Sequence, residues 1–140
     1  MLIFLSDDSD PMLLNSLSAM NLLHKKLELF LQSTQQHIEI IADIRDCPHP
    51  YDRQLFGLRV IKSEGGISLK IDHQNWLVLS GDPENLRIYI SHFEFESDEE
   101  GTHHHPEYIH KNNYLSADTL CLIIEVDSEW VEDVDDRPLS

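Results

Sequence analysis

Basic side chains are scarce in this chain: 10 lysines and arginines stand against 26 aspartates and glutamates in 140 residues, a net charge of −16 at pH 7. A field of that sign repels phosphate backbones and anionic headgroups, which argues against DNA, RNA and membrane surfaces as partners. Cysteine is sparser still. Cys47 and Cys121 lie far apart and form no C-x-x-C pair, so no disulfide framework is expected and a reducing, cytoplasmic setting fits. No apolar run approaches the roughly 20 residues that cross a bilayer. The short run MLIFL at the start has no basic residues before it and acids soon after, so it does not read as an export signal. Catalytic signatures are missing as well: there is no glycine-rich loop to cradle phosphate, no H-E-x-x-H and no G-x-S-x-G, and neither cysteine adjoins a recognisable base. No general acid or base is assigned, no cofactor is expected, and the chain reads as a binding protein rather than an enzyme.

What is present is enough for one core. The length is that of a single domain, 1–140, and 41% apolar residues can fill it without disulfide or metal staples. The charge is unevenly spread: residues 1–70 hold 7 basic and 9 acidic side chains, residues 71–140 hold 3 and 17. A face concentrating that much negative charge suits a basic protein partner better than mere solubility requires.

The periodicities predict an α+β fold: an N-terminal amphipathic helix and a second helix packed on an antiparallel sheet of about five to six strands. Asp10-Pro11 reads as a helix entrance, with Leu13, Leu17, Met20, Leu27 and Leu31 recurring near 3.6 residues up to about Gln32. Residues 37–42 are β-branched and partly alternating, the mark of a strand. The prolines of DCPHPYD (46–52) predict a loop, and residues 55–62, 67–72 and 76–79 predict antiparallel strands joined by tight turns, with Trp76 in the core. Asp82-Pro83-Glu84 repeats the entrance logic for a second helix. Residues 103–110 and 120–126 read as closing strands, and 127–140 as an acidic tail carrying Trp130.

The most unusual stretch is Thr102-His103-His104-His105-Pro106-Glu107-Tyr108-Ile109-His110. On an extended backbone His103, His105 and Glu107 share one face at intervals of roughly 7 Å. A His-x-His pair can chelate Zn²⁺, with Glu107 or a distant residue such as His49 completing the shell, and Cys47 is a weak further candidate. The plainer reading has these histidines hydrogen-bonding across strands or touching a partner, and it is preferred.

Four segments, I-S-L-K-I-D from Ile67, L-V-L-S-G-D-P-E-N-L from Leu77, H-x-H-x-E-Y at His103, His105, Glu107 and Tyr108, and L-S-A-D-T-L-C-L-I-I-E ending at Glu125, together resemble small immunity proteins of bacterial polymorphic-toxin systems. The resemblance covers rather less than half of the chain. It implies a non-enzymatic, cytoplasmic antidote that binds a cognate toxin domain and blocks it. A monomer or homodimer is expected. Many such toxins act on nucleic acid through basic faces, with which the acidity agrees. The expected contact residues are Glu94, Glu96, Asp98, Glu99 and Glu100, adjoined by His103, His105, Glu107 and Tyr108, with Trp130 as an exposed anchor. Two alternatives compete. An acidic secretion chaperone would be a stable dimer with an apolar groove for an unfolded effector segment. A small His-rich metal-binding protein would need a bound ion.

Overall fold

The computed structural model describes residues 1–6, 9–44, 53–109 and 111–128. Among these residues thirteen elements follow one another: β1 (Leu2–Leu5), β2 (Met12–Asn15), α1 (Leu17–Gln32), β3 (His37–Ile41), β4 (Arg53–Gln54), β5 (Gly57–Lys62), β6 (Ser68–Ile71), β7 (Trp76–Gly81), α2 (Pro83–Ile90), 3-10 turns at Ser91–Phe93 and Ser97–Glu99, β8 (His103–His104) and β9 (Ile123–Val126). The class is α+β as expected, but the strands form two mixed sheets instead of one antiparallel sheet. One has five strands in the order β4-β1-β2-β9-β8, the other four in the order β3-β5-β7-β6.

Each sheet contains one parallel pair, β2 with β9 and β5 with β7. Residues 76–81 and 68–71 do make the expected antiparallel hairpin, but β7 inserts between β5 and β6 instead of following β6 outward. The hairpin turn is built locally. Asp72 accepts hydrogen bonds from the backbone N–H groups of Gln74 and Trp76, both at 2.9 Å, and Asn75 takes a positive φ of 64°.

The first helix starts six residues later than its Asp10-Pro11 signal suggests. Met12–Asn15 is a strand because Leu13 and Leu14, on opposite faces, are both fully buried between β1 and β9, and burial on two faces outweighs a local cap signal. The cap that operates is Ser16, whose Oγ accepts from Ala19 N at 3.2 Å. The MLIFL run, assigned to no element from sequence, becomes β1. At α2 the signal holds: Asp82 caps through Asn85 N at 2.8 Å with Pro83 in the first turn. Leu86, Tyr89 and Ile90 then fall on one buried face.

One cluster unites these elements. Met20, Leu23, Leu27 and Phe30 of α1 and Leu86, Tyr89 and Ile90 of α2 pack with Leu58, Val60, Leu77 and Leu79 of one sheet and Ile3, Leu13 and Ile124 of the other. Leu2, Phe4 and Leu14 form a second buried cluster. Trp76 is not in the core. It is half-buried on the outer face of the four-stranded sheet, with the Arg59 guanidinium 5.0 Å from its ring centroid. Gly57 beneath it has no room for a side chain: a Cβ there would strike the Ile40 carbonyl oxygen and lie 2.5 Å from Trp76 Cζ3.

Gly57→Ala is therefore expected to cost about 1–3 kcal/mol through overpacking, and Ser16→Ala about 1 kcal/mol through loss of the cap. Urea unfolding followed by tryptophan fluorescence checks both, and only Gly57→Ala should alter the emission of Trp76 in the folded state.

Candidate functional site

The acidic segment between α2 and β8 is held in place at every step. The alternation His92-Phe93-Glu94-Phe95-Glu96 points Phe93 and Phe95 into the core and leaves Glu94 and Glu96 exposed. Asn21 of α1 fixes that backbone by a reciprocal pair: its Nδ2 donates to Phe95 O and its Oδ1 accepts from Phe95 N, each at 3.0 Å. Glu96 and Glu99 then form a capping box around the second 3-10 turn. Thr102 Oγ1 donates to Glu99 O at 2.6 Å. Gly101 N donates to Val126 O at 2.7 Å, and Val126 N donates to Thr102 O at 3.1 Å.

His104 is the brace beneath this segment. Its Nε2 lies 2.8 Å from Glu99 Oε2, its Nδ1 lies 2.8 Å from His92 O, and its ring stacks on Phe95 at 4.0 Å between centroids. The hydrogen bond from Glu96 N, joined by that from His104, holds the Glu99 carboxyl below the usual carboxylate range. A second histidine, His24 of α1, sits 3.0 Å from Glu28 and 4.0 Å from Glu94.

The residues expected at the contact face therefore divide into two groups. Glu94, Glu96 and Asp98 are exposed along the ridge, and Tyr108 is exposed beyond it. Glu99 is turned inward on His104, and Glu100, though exposed, accepts a hydrogen bond from Ser128 N. Glu107 departs most from expectation: its side chain is only 6% exposed. Three of its neighbours titrate above their ordinary values, each through its own burial first and the Glu107 charge second. Tyr89 is pushed well up by burial and by Glu107, as is Tyr114, whose hydroxyl donates to Pro106 O at 3.0 Å. The Cys121 thiol is raised by burial and by its proximity to Glu107, which keeps it protonated and a poor nucleophile.

The strand expected over 103–110 is only two residues long, since Pro106 offers no N–H to a ladder. The regular three-residue face of His103, His105 and Glu107 is thus lost, although its members still meet through His105: the His103 and His105 rings are 4.9 Å apart, edge to face. His105 also stacks on Tyr108 at 4.9 Å, and its Nδ1 is 3.6 Å from Glu107 Oε1. Among the described residues no group of three or more His, Cys, Asp and Glu could hold a metal ion. Trp130, Cys47, His49 and His110 lie outside the described residues.

Sequence reasoning missed Glu125 as the neighbour of His103, with Asp127 close to Glu125. Glu125 faces His103 across the β8–β9 pair, and burial, with the Asp127 charge, pushes its carboxyl up while His103 opposes. The signal was the period-two pattern Ile123-Ile124-Glu125-Val126-Asp127, in which both acids fall on the side away from Ile124 and Val126. The chain matches no protein-family model, no curated protein and no solved structure.

Because Glu99 has a depressed folded-state pKa, its contribution to stability is complete above the ordinary value of 4.5 and is lost as pH falls through the folded value. Glu99→Gln is thus expected to be less stable than the wild type at about pH 7, with the difference shrinking toward about pH 3. Urea midpoints at the two pH values read this directly.

Proposed function

We propose that the chain is a non-enzymatic binding protein of the immunity type, which neutralises a toxin domain by covering a basic face with the ridge of Glu94, Glu96 and Asp98 in a cytoplasmic setting. The observation that carries this reading is the bracing of the ridge. Acidic loops are ordinarily mobile and solvated, whereas this one is tied to α1 through Asn21, to β8 through His104 and to β9 through Gly101 and Thr102. A charged face ordered before binding loses little conformational entropy on association, and its field steers a basic partner into register.

Two further facts agree. The exposed Tyr108 of the histidine stretch, stacked on His105, is the kind of rigid aromatic that anchors interfaces. The Cys121 thiol is held protonated, which suits a structural role.

The test uses the immobilised chain on lysate of its source cells, followed by kinetics with the captured partner. Glu94→Lys combined with Asp98→Lys should slow association by about tenfold at low salt and flatten its salt dependence, while circular dichroism stays unchanged. A wild-type association rate that ignores salt, or one that the double reversal leaves intact, would count against the ridge.

A further inference from the structure

The sheet edges are not protected alike. In the five-stranded sheet the outer strands β4 and β8 are two residues long. In the four-stranded sheet, β6 is shielded by the segment 114–120: Ile67 N donates to Tyr114 O at 2.6 Å, Ser116 N to Ile67 O at 2.8 Å, and Leu120 N to Leu69 O at 2.9 Å. β3 is different. It is five residues long, holds no proline, and among the described residues nothing pairs with its outer edge. Such an edge is a template for another strand.

The free backbone groups can be assigned from the ladder. Even-numbered residues bond toward β5, since Ala42 N donates to Phe56 O and Lys62 N donates to Gln36 O. The N–H and C=O groups of His37, Glu39 and Ile41 therefore point outward. Asp43 N is already used by Met1 O at 2.7 Å, which sets the end of the available edge.

Beside this edge runs an apolar stripe of α1. Leu22 and Leu29 flank Lys26 and line, with Ile38, Ile40 and Ile41, two adjoining hollows of about 250 and 410 Å³. Leu22, Leu29, Ile41 and Ile44 are 68, 61, 79 and 56% exposed. At roughly 100 Å² of apolar surface per aliphatic side chain, they present on the order of 250 Å² per copy. Interfaces are a little over half apolar, so two such faces, fully covered, account for roughly 900 Å² of buried area, close to the floor for a specific association.

We propose that two copies of the chain pair through β3, antiparallel and centred on Ile40, to form a two-fold dimer with a continuous eight-stranded sheet. The sequence of the edge favours that register over one centred on Glu39. Centred on Glu39, the two carboxylates would stand directly opposite each other, a destabilising pair. Centred on Ile40, Glu39 faces Ile41 of the second copy, Ile38 faces Ala42, and His37 faces Asp43. Residues 39 and 41 then exchange their outward backbone groups with 41 and 39 of the second copy, while Ile40 meets Ile40 at a non-hydrogen-bonded position. The ridge lies on the other flank of α1, where His24 meets Glu94, so the two surfaces are used independently.

Light scattering coupled to size exclusion, with the wild-type chain loaded at about 100 μM, should give twice the 16.3 kDa chain mass. Ile41→Lys, on an exposed side chain, should return the mass to one chain with an unchanged circular dichroism spectrum. Ile40→Cys under mild oxidation should give a disulfide-linked dimer absent from identically treated wild type, and Glu39→Cys should not, because only the former brings like residues within disulfide reach. A monomeric wild type, a dimer indifferent to Ile41→Lys, or cross-linking through Glu39→Cys in place of Ile40→Cys would each overturn the proposal.

Discussion

Everything on the acidic side of the molecule hangs from the parallel pairing of Met12–Asn15 with Ile123–Val126. A parallel pair cannot be closed by a hairpin, and here the connection between the two strands is the whole of α1, the four-stranded sheet and α2. Once the pair forms, Asp127 N bonds to Asn15 O and Leu17 N to Ser128 Oγ, so the start of the first helix and the end of the last strand fix one another. β9 in turn holds β8 and receives Gly101 and Thr102, which places the acids of 94–100 against α1. The ridge is thus a consequence of long-range closure, not a local property of an acidic run.

That origin explains which parts of the fold were legible in the sequence. Signals confined to a few residues were read correctly: the Asp82-Pro83 entrance to α2, the strand over 37–42, observed as His37–Ile41, and the β6–β7 hairpin with its turn at 73–75. Where a local signal competed with burial, burial decided. Met12-Leu13-Leu14 carries apolar side chains suited to both faces of a central strand, and sheet pairing overrode the proline cap two residues earlier. The order of strands was not readable, because the insertion of β7 between β5 and β6 depends on a pairing that no turn residue encodes. The side of the sheet taken by Trp76 rests on the same pairing, since its ring fills the space that Gly57 leaves open on the neighbouring strand.

For the candidate site, the acids were legible as a group and not as individuals. Their number and position follow from composition, but the use of each depends on what lies beneath it. Glu99 and Glu107 were expected at the surface with the others. Glu99 instead accepts from Glu96 N and His104, and Glu107 is enclosed with Tyr89, Tyr114 and Cys121. Crowding carboxylates into one segment costs repulsion, which these donors partly offset, leaving Glu94, Glu96 and Asp98 as the face turned outward. The histidine stretch serves the same end: His104 braces the acids, and His103, His105 and Tyr108 form a chain of ring contacts beside them.

The uneven distribution of charge bears on both surfaces at once. Two copies each carrying −16 repel at long range, yet the edge proposed to join them belongs to residues 1–70, where 7 basic side chains nearly balance 9 acidic ones. The strongly negative half, with 3 basic and 17 acidic side chains, supplies the ridge. Added salt screens the repulsion between copies and would equally screen the attraction of the ridge for the basic partner proposed for it. Self-association and partner binding should therefore respond to ionic strength with opposite signs, the first holding or strengthening while the second weakens. A chain that was acidic throughout could not separate the two in this way.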